Sequence, residues 1–187
     1  MVTTKKEFEE RQAWTASQLR AAGYPLTDDE ERRIEVADFG LGEIDHFGIQ
    51  LITYINTERV CSKDIVMKPW QICPEHLHPN VGTELGTELG KEETFRCRKG
   101  LVYLYVQGEP TNSPSHRLRA DDEGKVSVFH EVVLKPGDQY TIFPNSLHWF
   151  QAGEDGCIVT EFSTSSTDGS DIFTDKEIIR APKIPSQ

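Results

Sequence analysis

The sequence predicts a mainly-β protein of one domain, an antiparallel sandwich or barrel with helices only at its amino terminus. Two observations carry this. From Ile34 onward, turn residues punctuate a succession of short β-rich runs with no long helical pattern between them. Within those runs His76, His78, Glu93 and His148 fall where period-two alternation would point them inward together, as one divalent-metal site.

The chain has 187 residues, one domain's worth and enough for a core that needs no crosslinks. We read it as a helical segment over 1–35, a barrel over 36–170 and a tail over 171–187. From Lys5 to about Ala22, Phe8, Trp14, Ala16 and Leu19 recur at helical spacings, and Gly23 is a natural stop. Thr27-Asp28-Asp29-Glu30 reads as a capping box opening a second, short helix through about Arg33. Strands are expected over Phe47 to Ile55, Cys61 to Met67, Gln71 to His78, Glu93 to Arg98 and Leu101 to Gln107. Further strands are expected over Val126 to Leu134, Gln139 to Phe143, His148 to Ala152 and Ile158 to Ser163. The tail, with Pro182 and Pro185, is expected to pack loosely over the barrel.

Composition narrows the function classes. Cys61, Cys73, Cys97 and Cys157 are widely spaced with no CxxC pair, and no charged-then-apolar leader opens the chain, so a cytoplasmic protein with reduced thiols is expected. No apolar run approaches the ~20 residues of a spanning helix, so no membrane partner is expected. The net charge of -11 argues against nucleic acid, whose binding uses basic stripes to displace counterions.

Three segments supply the proposed metal ligands. In Cys73-Pro74-Glu75-His76-Leu77-His78-Pro79 the two histidines are one residue apart and share a strand face, and the prolines clip the strand short. An HxH pair alone is equally compatible with two solvent-facing residues. In Lys91-Glu92-Glu93-Thr94-Phe95-Arg96-Cys97-Arg98, alternation places Glu93 with Phe95 and Cys97, and the arginines opposite. A carboxylate on an apolar face needs a partner or a metal. Pro136-Gly137-Asp138 and Pro144-Asn145-Ser146 then make a hairpin and a return strand that opens with His148. Between His78 and Glu93 lies a tandem repeat, Thr83-Glu84-Leu85-Gly86 and Thr87-Glu88-Leu89-Gly90, which reads as a loop insertion and supplies rival carboxylates, Glu84 and Glu88. Glu93 is preferred because it begins a strand and stands before the turn glycine Gly100.

HxH, then a glutamate followed by a glycine, then Pro-Gly-Asp leading to Pro and His, is similar to the two-part cupin signature. Cys73 to Pro79, Lys91 to Arg98, Tyr140 to Asn145, His148 to Gly153 and Thr160 to Asp168 more narrowly resemble the small bacterial D-lyxose isomerases of that superfamily, a likeness running over nearly the whole chain. The resemblance implies a double-stranded β-helix, or jelly-roll barrel, and a homodimer. It implies an aldose–ketose isomerase acting on free D-lyxose and D-xylulose, or D-mannose and D-fructose, through an enediolate. Three imidazoles and one carboxylate suit Mn²⁺ or another divalent first-row metal.

Two further residues would then carry protons. Lys91 lies two positions before Glu93 and occupies the place of the family's acid/base lysine; read from the residues alone, a loop lysine at a glycine-flanked strand start is the commoner case. Glu161 shares a face with Val159 and Ser163, and the family implies a catalytic acid on this strand; the run is too short for periodicity to say whether that face is inward. Tyr103, with Tyr105, and Phe150, with Phe95, offer hydroxyls and ring surfaces to a small polyol. Asp168 and Asp171 could reach sugar hydroxyls if their loop folds over the mouth. Arg96 and Arg98 lie opposite Glu93, which argues for an unphosphorylated sugar. Two other classes share the ligand set: an Fe²⁺-dependent cupin dioxygenase, and a non-catalytic sugar-binding cupin.

Overall fold

The structure, a computed structural model, describes residues 4–84 and 86–180. Helix α1 (Lys5–Ala21) starts at a capping box: Glu7 N donates to Thr4 Oγ1 at 3.2 Å, and Thr4 N donates to Glu7 Oε2 at 2.8 Å. Helix α2 (Asp28–Arg32) opens on the expected Thr27–Glu30 box, with distances of 3.2 and 2.8 Å. Ala16 and Leu19 of α1 pack with Ile34, Ile52, Val66 and Ile158 on the outside of the sheet. Burying a leucine of this kind is worth about 1.5–3 kcal/mol, so the helices stiffen the wall behind the site.

Eleven strands follow among the described residues. They are β1 (Glu35–Ala37), β2 (Ile49–Asn56), β3 (Cys61–Met67), β4 (Ile72–Leu77), β5 (Val81–Thr83) and β6 (Gly86–Glu88), then β7 (Glu93–Val106), β8 (His130–Leu134), β9 (Gln139–Ile142), β10 (His148–Ser163) and β11 (Ile172–Phe173). The nine-stranded sheet runs β1-β2-β3-β10-β4-β11, with β7 paired to β10, β8 and β9. The pairings are antiparallel, and β10 meets β4 in its first half and β3 in its second while β7 lies along its other edge. Two long strands thus wind the sheet into a double-stranded β-helix. Its interior is filled by Leu51, Ile65, Phe95, Leu104, Phe150 and Val159 among others.

Two pairs of expected strands are single strands. Glu93 to Arg98 and Leu101 to Gln107 fuse into β7, and His148 to Ala152 and Ile158 to Ser163 fuse into β10. Continuity is kept by a bulge: Val159 pairs with Cys97 but Ile158 with Lys99, and Gly100 takes φ 73° against Cys157. The extra residue reverses the alternation. Phe95 and Cys97 point into the barrel before it, and Val102, Leu104 and Val106 after it.

The strand expected from Val126 begins at His130. The repeat at 83–90 forms the small hairpin β5–β6, separate from the main sheet. The tail is less loose than expected. β11 pairs with β4, placing Phe173 opposite His76, and Ile179 N donates to Phe39 O at 2.8 Å. Pro182 and Pro185 lie outside the described residues. Among the described residues no helix is long and apolar enough to cross a membrane.

Candidate metal and catalytic site

The barrel register brings the four expected ligands together. His148 is the cross-strand partner of His76, and His78 follows the end of β4. Glu93 opens β7 opposite Ser163. One ligand atom from each of His76, His78, Glu93 and His148 lies within 4.8 Å of the others, and all four residues are buried. Glu84 and Glu88 sit on the exposed hairpin, so neither joins them.

The hydrogen bonds prepare these rings for one ion. His76 Nδ1 donates to Pro74 O at 2.8 Å, His148 Nδ1 to Ser146 O at 2.9 Å and His78 Nδ1 to Asp171 Oδ1 at 2.6 Å. With each Nδ1 carrying a proton, each ring in its neutral form presents a lone pair at Nε2. His148 Nε2 is buried without a hydrogen bond, although it lies 2.9 Å from Glu93 Oε1. A buried, unsatisfied imidazole nitrogen facing a carboxylate and two more imidazoles fits a metal ion better than it fits an apolar core. The group can hold a divalent metal ion.

The protonation of His76 and Glu93 suits a metal ion as it stands, whereas His78 must first give up a proton. Burial, then the neighbouring His148 and His78, hold His76 well below the usual histidine range, so it is neutral. Burial also pulls His78 down, but hydrogen bonds to Asp171 and Glu93 outweigh it and push its pKa up to about 9. Burial would raise the Glu93 carboxyl; the Lys91 ammonium and the two histidines overcome this and hold it well below the usual carboxylate range.

Lys91 and Glu161 stand beside the four. Lys91 Nζ lies 2.7 Å from Glu93 Oε2 and donates to Glu161 Oε1 at 3.1 Å, all three side chains being buried. Both line a small cavity together with His76, Glu93, Phe95 and Phe150. Phe95 and Phe150 meet edge to face at 4.9 Å and form its apolar floor. At Lys91 the cavity meets a groove between the β5–β6 hairpin and residues 164–170.

The expected sugar contacts divide: Phe150 and Asp171 line the cavity and Tyr103 does not. Tyr103 is outside the cavity: the bulge in β7 turns it to the opposite face, where its ring stacks on Trp70 at 6.1 Å, and Tyr105 stacks on Trp149 at 4.0 Å. Asp171 lines the cavity, but its carboxylate is engaged by His78. The side chain of Asp168 lies outside the described residues. Arg96 and Arg98 face away from the cavity as the alternation requires, bonded to Gln139 and Thr160. Sequence reading missed Lys63, Phe39, Phe173 and Arg180, which also line the cavity. Lys63 was legible, because Cys61, Lys63, Ile65 and Met67 alternate onto the inward face of β3; Arg180 arrives from the tail and carries no local signal.

A double-stranded β-helix with three histidines and a carboxylate converging inside it, and a buried lysine–glutamate pair at their side, is a cupin-like fold carrying a group that can hold a metal ion. A sequence profile described as D-lyxose isomerase matches residues 10–187. The D-lyxose ketol-isomerase of Thermofilum sp. is 51% identical over 97% of this chain and 98% of that protein, and the D-lyxose/D-mannose isomerase of Thermosediminibacter oceani is 52% identical over 96% and 97%. The chain therefore belongs to the D-lyxose isomerase family and is an aldose–ketose isomerase. Among solved structures, the L-ribose isomerase of Cellulomonas parahominis with L-ribose superposes at a TM-score of 0.77, with 16% identity over 95% of both chains. That of Acinetobacter sp. DL28 with L-ribose gives 0.76, at 16% identity over 94% of both. At this distance the likeness is one of fold.

Proposed function

We propose that the protein interconverts free D-lyxose and D-xylulose, with D-mannose and D-fructose as a second pair. His76, His78, Glu93 and His148 would hold Mn²⁺ or another divalent first-row ion. When bound, the ion supplies Lewis acidity, polarising the sugar carbonyl and stabilising negative charge on the adjacent oxygen. The observation that carries the reading is Lys91 Nζ lying between Glu93 and Glu161 on the cavity wall.

In this reading Glu161 accepts the proton from C2 of the aldose and returns it to C1. Lys91 gives a proton to O1 and takes one from O2, so each group ends as it began. Phe95 and Phe150 exclude water from the face where the carbon proton moves, which keeps it from being lost. The relatives' names support the sugar pair, and the cavity is lined by Lys63, Lys91, Arg180, Glu93, Glu161 and Asp171, donors and acceptors that suit a small polyol. The test is anaerobic incubation of metal-exchanged protein with a panel of free pentoses and hexoses. Ketose formation from D-lyxose is expected; oxygen uptake with iron and no isomer would overturn the reading in favour of an oxygenase.

A further inference from the structure

Lys63 has no part in the scheme above, yet its side chain is 4% exposed and lines the same cavity. An ammonium so deeply buried is costly unless matched by charge and hydrogen bonds. The β3–β10 register sets it directly across from Glu161, and its Nζ lies 3.9 Å from Glu161 Oε1. Lys91 approaches that same oxygen at 3.1 Å. Ser163 Oγ also donates to it, at 3.1 Å.

The other side of Lys63 reaches the segment at the mouth. Its Nζ donates to Ser166 Oγ at 2.8 Å. Ser166 is fixed in turn, because its N donates to Asn56 Oδ1 and Asn56 Nδ2 donates to its O, both at 3.0 Å. The segment is tied down at its two ends as well: Glu92 N donates to Thr164 Oγ1 at 3.1 Å, and His78 donates to Asp171. Residues 164–170 therefore form one wall of the groove that opens onto Lys91, with Ser166 as their central attachment to the barrel.

We propose that Lys63 is a positioning residue that links the carboxylate of Glu161 to the wall segment 164–170 through Ser166. Glu161 is held by charge from two sides, so its carboxylate faces the cavity while Lys91 is engaged elsewhere during turnover. Ser166 aligns the ammonium and shares its position with the groove wall. The inference rests on the isomerase reading, since it assigns Lys63 a task only if Glu161 moves the carbon proton.

The test is steady-state isomerisation of D-lyxose by metal-loaded wild type, Lys63→Met, Lys63→Arg, Ser166→Ala and Lys63→Met/Ser166→Ala, with metal content measured for each. We expect Lys63→Met to lower kcat by about 30-fold or more with KM changed by less than about threefold. Lys63→Arg should restore most of that loss. Ser166→Ala should act through Lys63, so the double variant should be no slower than Lys63→Met alone. Lys63→Met, metal-loaded, with kcat within about threefold of wild type would overturn the proposal, as would losses that multiply in the double variant. If Lys63→Met does not fold, Lys63→Arg and Ser166→Ala decide: activity near wild type in the first with a kcat loss in the second supports the link, and no kcat loss in the second refutes it. Wild type inactive on every sugar would instead remove the isomerase reading itself.

Discussion

Asp171 Oδ1 accepts a hydrogen bond from His78 Nδ1 at 2.6 Å, so the first residue of the tail orients a residue of the histidine–glutamate cluster. Asp171 lines the cavity, where a sugar contact was expected, and we propose that it also orients His78 for the metal ion. Asp171→Asn should weaken divalent-metal affinity by about 10- to 100-fold. Competition against a chelating dye measures this. Unchanged affinity with a raised KM would return Asp171 to the role of a sugar contact.

Metal binding should be coupled to His78's proton. His78 is raised to about 9 in the metal-free protein, whereas His76 is already neutral and Glu93 already ionised. Below pH 9 an incoming ion must therefore displace about one proton, and apparent affinity should fall about tenfold per pH unit. Calorimetry in buffers of different ionisation enthalpy counts the proton released. The metal-free protein should show the opposite trend: a histidine whose folded pKa is raised stabilises fully below its unfolded value near 6.5, and that contribution is lost as pH rises through about 9. Melting of chelator-treated protein across this window checks the sign.

Tyr103→Phe should leave KM for the sugar within about twofold of wild type. The ring lies against Trp70 on the far face of β7, outside the cavity. A large KM increase would mean that the bulge does not reverse the strand.

Gly100 marks that bulge. At φ 73° a Cβ there would come within 2.0 Å of Gly156 O, so backbone must move to admit it. Gly100→Ala should cost at least about 2 kcal/mol and lower the melting midpoint by about 4 °C or more. Thermal unfolding followed by circular dichroism gives the answer.

Strand alternation made the four clustered side chains legible, because each lies beside neighbours that declare their side; the inward face of Glu161 was not, since its run is too short for a period and only the family resemblance pointed there. The same rule failed at Tyr103, since it assumes an unbroken period and one bulged residue reverses it. Arg180, Phe173 and the bond from Asp171 to His78 were not legible: the tail joins the site by closing a long loop back onto β4, and no local pattern encodes that return. Lys63 was there to be read but stood on a strand without a recognisable motif. The capping box at Thr27 was local and complete in four residues, which is why helix α2 starts where the sequence predicts.

The central claim is that Glu161 moves the carbon proton beside the histidine–glutamate site. Its most direct test is D-lyxose turnover by metal-loaded Glu161→Gln, a change that keeps size and polarity but removes the base. The account predicts full metal content, a sugar KM near that of wild type, and a kcat lowered by about 10²- to 10⁴-fold. A Glu161→Gln protein that makes D-xylulose within about threefold of the wild-type rate would contradict it.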